Sequence, residues 1–265
     1  MIELCASSRM YAGYSLETAL AEISRVGFRA VDLWAVPRVC VHVDPLQDDA
    51  GRIRRLLDDF GLRPAALSLY DSDVTRTLAG IDFAAAIGAQ VVVTGAGVRS
   101  LDEAIEYLTP VARRAEARQV VVAPENHVNS PLESLAEMTG LFAALDGKFG
   151  ERSLGITYAP PHSFACGEDP DKVILALGRR VAFFYPWDVP RGYKKGSRAS
   201  FWSNPDEQLP GRGCLDFDRM FASLRDVGYS GFASVVWQGS RDWELPRITT
   251  ALQAASDFLL QHIDQ

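Results

Sequence analysis

Eight times along this chain a short, mostly apolar run is followed by a stretch with helical hydrophobic spacing, and this alternation restricts the fold more than any other feature. The opening run is Ile2-Glu3-Leu4-Cys5. The first expected helix, 16–26, starts after Ser15 as N-cap and stops at Gly27. A strand is expected at 30–34, a helix at 52–60 closed by Gly61, a strand at 65–69, a helix at 74–87 closed by Gly88 and a strand at 90–94. After the capping candidate Ser100 a helix runs to 117 and leads into the apolar run that begins at Val120. The pattern continues with a helix at 132–145, a strand at 154–158, a short helix at 171–177 and a strand at 181–185. A long aromatic and basic segment comes next, then a helix at 217–227, a strand at 232–237 and a helix at 246–263.

Runs that are apolar on both faces belong to parallel strands covered by helices, rather than to the half-polar strands of an antiparallel sheet. Eight such units in 265 residues match the roughly 250 residues of a closed α/β barrel. The expected fold is therefore a single (β/α)8 TIM-barrel domain over 1–265. A doubly wound open sheet is the alternative. It is disfavoured because no GxGxxG follows the first strand, and Gly95-Ala96-Gly97 lacks the third glycine and reads as a tight turn.

Charge and cysteine content exclude several functions. The net charge of -7 arises from 34 acidic and 27 basic residues without long runs of one sign, which argues against a phosphate-backbone surface, so no nucleic acid is expected. Cys5, Cys40, Cys166 and Cys214 are scattered, without a CxxC pair, which points to reduced thiols rather than a disulfide framework or zinc finger. No run of ~18 apolar residues and no basic-then-apolar leader occurs. A cytoplasmic protein with a small-molecule substrate and no membrane contact is expected, with self-association left open.

The chemistry concentrates in Val120-Val121-Val122-Ala123-Pro124-Glu125-Asn126-His127, a buried strand ending in a carboxylate, an amide and an imidazole. Side chains alternate along a strand, so Glu125 and His127 should share the inner face while Asn126 points away. Glu125 at a barrel mouth should lose hydration, and a raised pKa would suit a general base near neutral pH.

Taken in order, Ala30-Val31-Asp32-Leu33, Ile87-Gly88-Ala89, Glu125-Asn126-His127, Leu209-Pro210-Gly211-Arg212-Gly213 with Asp216-Phe217, and Gly228-Tyr229-Ser230-Gly231-Phe232 resemble the xylose isomerase-like TIM barrels. That superfamily of sugar isomerases and epimerases also contains endonuclease IV. The resemblance spans nearly the whole chain. It implies a divalent metal held by a Glu, an Asp, a His and a second Glu at the ends of the fifth to eighth strands, with the glutamates moving the proton. Glu125 fits the first position. The usual Asp-Pro-x-His is here Ala159-Pro160-Pro161-His162, the usual His-x-Lys-Asp is Tyr185-Pro186-Trp187-Asp188, and the last glutamate is Val236. One carboxylate cannot dehydrate a hard cation, so no family-type metal and no cofactor are expected. Glu125, His127 and His162 could together form a new zinc-like site, which is the alternative.

The expected activity is that of a metal-independent isomerase, epimerase or lyase that removes a proton next to a carbonyl of a sugar-like or polyoxygenated molecule. The alternative is a non-catalytic barrel that binds a related ligand or a partner subunit. The candidate catalytic residues are Glu125, His127, His162 and Tyr185, the last placed to hydrogen-bond a substrate oxygen or to close on Glu125. The segment 186–213 would lie over the mouth as a lid or subunit contact. Its Trp187, Asp188, Arg191, Lys194, Trp202 and Arg212, together with His42 and Gln238, are the candidate binding residues.

Overall fold

The computed structural model describes residues 1–96, 99–150, 153–200 and 204–263. Its strands are β1 (Glu3–Ser7), β2 (Ala30–Val36), β3 (Cys40–Val41), β4 (Arg63–Ser68), β5 (Val91–Thr94), β6 (Val121–Pro124), β7 (Ile156–Tyr158), β8 (Val181–Phe184) and β9 (Phe232–Val235). All but β3 are parallel, in the order β6-β5-β4-β2-β1-β9-β8-β7. The ring closes where parallel bridges join Val122 to Leu154 and Glu125 to Thr157. The eight-stranded barrel is thus as expected. The short β3, absent from the sequence reading, pairs antiparallel with the end of β2 and stands outside the ring.

The helices are α1 (Leu16–Val26), α2 (Ala50–Asp59), α3 (Val74–Ile87), α4 (Leu101–Arg118), α5 (Leu135–Leu145), α6 (Pro160–Ala165), α7 (Pro170–Leu177), α8 (Phe217–Asp226) and α9 (Leu245–Ile263). Local chemistry sets their ends. Ser15 accepts the N–H of Thr18, and Gly27 closes α1 at φ 104°, a conformation that costs glycine little. The helix expected from 132 starts at Leu135 instead, because Ser134 and Glu137 form a reciprocal capping box. No described helix is long and apolar enough to cross a membrane.

The period of two along each strand divides the apolar residues into two buried sets. Val31, Leu33 and Ala35 of β2, Val92 of β5 and Val122 of β6 face the helices. Ala30, Trp34, Val91, Val93, Ala123, Phe183, Phe232 and Val236 form a second cluster inside the ring. The same alternation sends Asp32 inward between Ala30 and Trp34, and Glu125 inward two residues beyond Ala123.

Helix α6 was not expected. Pro160 and Pro161 occupy its first turn, where a missing N–H costs nothing. Asn126 takes the place of a side-chain cap: its Oδ1 accepts the N–H of Ala159 at 2.7 Å, and its Nδ2 donates to Ala159 O at 3.2 Å and Ser163 Oγ at 3.3 Å. The amide that turns away from the cavity therefore anchors the helix that carries His162.

Candidate active site

A cavity of about 200 Å³ opens at the C-terminal end of the barrel, lined by Arg9, Trp34, Val36, Val39, Tyr70, Glu125, His127, Tyr185, Trp187, Val236, Trp237 and Gln238. This is the end where barrel chemistry is sited. Glu125 is only 7 % exposed. Its Oε2 accepts the Tyr70 hydroxyl at 2.6 Å. Its Oε1 stands 3.7 Å from His162 Nε2, beyond hydrogen-bond reach. Burial raises the Glu125 pKa above the ordinary carboxylate value, and His127, the Tyr70 hydrogen bond and Arg9 oppose that rise.

His162 is buried against the rings of His127 and Trp187, with centroids 4.1 and 5.4 Å away. Burial holds its pKa well below the ordinary value, so its approach to Glu125 is that of a neutral imidazole and not an ion pair. The N–H of Val128 donates to Nδ1 at 3.4 Å. That fixes the proton on Nε2, the nitrogen facing Glu125. His127 has the opposite arrangement: its Nδ1 lies 2.7 Å from Val128 O and must donate there, which leaves Nε2 as the acceptor when the ring is neutral.

Tyr185 lines the cavity as expected, but its hydroxyl does not reach for Glu125. It donates to Asp32 Oδ2 at 3.0 Å and lies 3.0 Å from Ser68 Oγ, which itself donates to Asp32 Oδ1 at 2.7 Å. Trp34 Nε1 adds a third donor at 3.0 Å. Asp32 is fully buried beneath the cavity wall, and three donors make the ionised form tolerable there. Burial still lifts its pKa from 3.8 to about 6. The folded protein therefore holds the Asp32 proton more tightly than the unfolded chain, and stability should fall as pH rises from about 4 to about 6 and then level off. At ~1.4 kcal/mol per factor of ten, Asp32 contributes at most about 3 kcal/mol to that fall. Asp32→Asn should show a correspondingly shallower decline between pH 4 and 6 in urea-unfolding midpoints. An unchanged slope would show that Asp32 titrates normally.

The other candidates are placed as follows. Trp187 and Gln238 line the cavity, and Gln238 Oε1 accepts from Arg9 Nη2 at 3.0 Å. His42 is drawn aside by the β2–β3 pairing: its Nε2 lies 3.1 Å from Tyr14 O and its Nδ1 3.3 Å from Cys40 Sγ. Asp188 is buried away from the lining and accepts the N–H groups of Val189, Gly213 and Leu215 at 2.9, 2.9 and 3.0 Å. Arg191 Nε donates to Arg212 O at 3.0 Å, Arg212 lies 3.9 Å from Asp206, and Lys194 is exposed. None of His42, Asp188, Arg191, Lys194 and Arg212 lines the cavity; Asp188, Arg191 and Arg212 pair within the 186–213 segment, while its Lys195 and Arg198 reach Asp169 and Glu133 on neighbouring parts of the barrel. Trp202 lies outside the described residues. The sequence reading missed Arg9, Trp34, Tyr70 and Asp32, although the inward parity of β2 was a signal for Trp34 and Asp32.

The donors do not fit the family's metal. Ala159 and Val236 carry no ligand atom, and the Tyr185 hydroxyl is committed to Asp32 and Ser68. Among the described residues no three His, Cys, Asp or Glu side chains are grouped so as to share an ion. One carboxylate is a poor site for a hard divalent cation.

Fold and site together define a parallel α/β barrel whose described aromatic mouth is lined by one carboxylate, Glu125. Residues 20–261 match the family described as xylose isomerase-like TIM barrel, and the chain belongs to that family. Solved structures of similar fold include an L-ribulose 3-epimerase (16 % identity, TM-score 0.77, covering 100 % of this chain and 95 % of that one). A xylose isomerase domain protein from Alicyclobacillus acidocaldarius is 18 % identical, with a TM-score of 0.78 and coverage of 100 % and 99 %. The probable 3-DHS dehydratase AsbF of Bacillus anthracis is 17 % identical, with a TM-score of 0.73 and coverage of 98 % and 99 %. No curated protein matches the chain in sequence.

Proposed function

We propose that the protein is an isomerase, epimerase or lyase that removes a proton next to a carbonyl of a polyoxygenated small molecule, with Glu125 as the base and without the family's divalent metal. The observation that carries this reading is the Glu125 carboxylate. It is desolvated, its pKa is raised, one oxygen is oriented by Tyr70, and it borders a cavity of substrate size. A base poised towards neutrality removes a weakly acidic proton more effectively than an ordinary carboxylate. Arg9 borders the same cavity, and its guanidinium supplies the positive charge that would favour a developing enolate, a task that preorganised donors perform in place of a metal cation. Solved structures of similar fold that are named as 3-epimerases and as a probable dehydratase agree with this class of reaction.

The second reading, a barrel that only binds its ligand, draws support from Tyr185, whose hydroxyl is occupied by Asp32 and Ser68. Solvent deuterium entering candidate ketoses and oxo acids, followed by NMR with EDTA present, separates the two. Exchange at a carbon next to the carbonyl is expected for at least one compound. If several compounds bind and none exchanges, the binding reading replaces the enzyme.

Metal content supplies a separate check. Elemental analysis of protein purified without chelator should find manganese, cobalt and zinc far below stoichiometric amounts. A tightly held equivalent that is lost on Glu125→Ala would refute the metal-free mechanism.

A further inference from the structure

Arg9 sits in the short 3-10 helix Ser8–Tyr11 that follows β1, and among the described residues it is the only arginine or lysine lining the cavity. Its Nη1 donates to Trp237 O at 2.8 Å and its Nη2 to Gln238 Oε1 at 3.0 Å, and its guanidinium lies 5.0 Å from the Trp34 ring centroid. Both acceptors are neutral. Among the described residues no carboxylate comes within 4.0 Å of it, and its Nε–H is buried without an acceptor. A guanidinium has five N–H donors, so most of its donor capacity is unused and no anion is in contact with its charge.

A guanidinium partly withdrawn from water with no counter-ion in contact is stabilised when an anion arrives. Glu125 is not in contact with Arg9: one carboxylate oxygen accepts from Tyr70, the other faces His162 at 3.7 Å, and its charge acts on Arg9 only at longer range. The arginine is instead held firmly in place. Gln238, which accepts from it, has its own N–H bound by Gln208 Oε1 at 2.8 Å, so the 186–213 segment helps set the position of the fork.

We propose that Arg9 is the subsite for a carboxylate group on the molecule that Glu125 acts on, so that the substrate is a small oxo acid rather than a neutral sugar. This rests on the reading of Glu125 as the base and narrows its substrate class. A carboxylate is favoured over a phosphate because one guanidinium in an otherwise aromatic and apolar lining matches a single negative charge with planar, two-oxygen geometry. The cavity volume, below the ~300 Å³ at which pockets for drug-sized ligands begin, restricts the body to a compact, flat one between Trp34, Tyr70 and Trp187.

The test uses benzoate and benzamide, two flat molecules of equal size that differ in charge, with D-fructose and inorganic phosphate as further probes. Quenching of tryptophan fluorescence is the readout, since three tryptophans line the cavity. Wild type should bind benzoate about ten- to one-hundred-fold more tightly than benzamide, as expected for a charged hydrogen bond. Arg9→Gln should remove that preference and leave benzamide unaffected, while Arg9→Lys should keep part of it. Equal binding of the two probes by wild type would overturn the proposal. So would a preference that survives Arg9→Gln, tighter binding of phosphate or D-fructose than of benzoate, or no benzoate binding at millimolar concentration. The wild-type comparison stands even if an Arg9 variant folds poorly. Glu125→Gln should retain or strengthen the benzoate preference, because it removes a negative charge from the lining. A protein that binds benzoate through Arg9 but never exchanges deuterium would refute the assignment of Glu125 as base and leave the carboxylate subsite intact.

Discussion

Glu125→Gln is expected to lower turnover by about 10²- to 10⁴-fold, the usual contribution of a positioned general base, while ligand affinity changes only by a small factor. The amide keeps the shape of the carboxylate and still accepts from Tyr70, whose hydroxyl now lies 2.6 Å from Oε2. It cannot take up the proton. Because burial raises the Glu125 pKa, kcat/KM of the wild type should rise with pH through a midpoint above the ordinary carboxylate range. The base form exists only above that midpoint, so activity is lost as pH falls through it. The rising limb should vanish from the residual activity of the variant. Pre-steady-state and steady-state kinetics across pH provide both readouts, and a variant that turns over at the wild-type rate with the same pH profile would remove Glu125 from the mechanism. Tyr70→Phe should shift the same limb upward, since the Tyr70 hydrogen bond is one of the contacts that favour the ionised carboxylate.

Asp188→Ala is expected to destabilise the fold by about 3–5 kcal/mol, far more than it alters any contact with a ligand. The Asp188 carboxylate is fully buried and gathers the N–H groups of Val189, Gly213 and Leu215, tying the end of the 186–213 segment back to its beginning. Truncation leaves these amides without an acceptor where little water reaches them. The approach is close enough that a Cβ at Gly213 would lie 1.9 Å from Val189 O and 2.4 Å from Asp188 Oδ1, so Gly213→Ala should disrupt the same closure. Asp188→Asn, which keeps one acceptor oxygen, should cost less than the alanine variant. Urea unfolding gives the magnitude, and faster proteolysis within 186–213 would locate it. If Asp188→Ala unfolds like the wild type but loses ligand binding, Asp188 is a binding residue, as its place after β8 first suggested.

The loss of Asp188 should also propagate to the cavity. Its own N–H donates to Gln208 O at 2.8 Å, and Gln208 holds Gln238, which holds Arg9. Within the described part of the segment that the sequence presents as a lid or subunit contact, Trp187 lines the cavity and Asp188 and Gln208 brace Gln238 behind it.

Periodicity is a local property, and what depended on it could be read from residues alone. The spacing of two placed Glu125 and His127 on the lining and turned Asn126 away, and the glycine-closed helices between apolar runs specified a parallel barrel. The absence of ligand atoms at Ala159 and Val236 was equally visible, since a side chain without oxygen or nitrogen cannot bind an ion wherever it sits. Which polar groups pair was decided only by closure of the ring. Tyr70 reaches Glu125 from 55 positions away, Tyr185 reaches Asp32 from 153, and Arg9 reaches Gln238 from 229. Such pairings are set by which strand ends become neighbours and by the competition among buried donors and acceptors for partners within about 3 Å. That competition took Tyr185 for Asp32, turned Asp188 to its own loop, drew His42 to Tyr14 and left Arg9 without an anion. The chain therefore carried its fold and its inward carboxylate in its pattern, while the charge that lines the cavity emerged only when the barrel brought distant residues together.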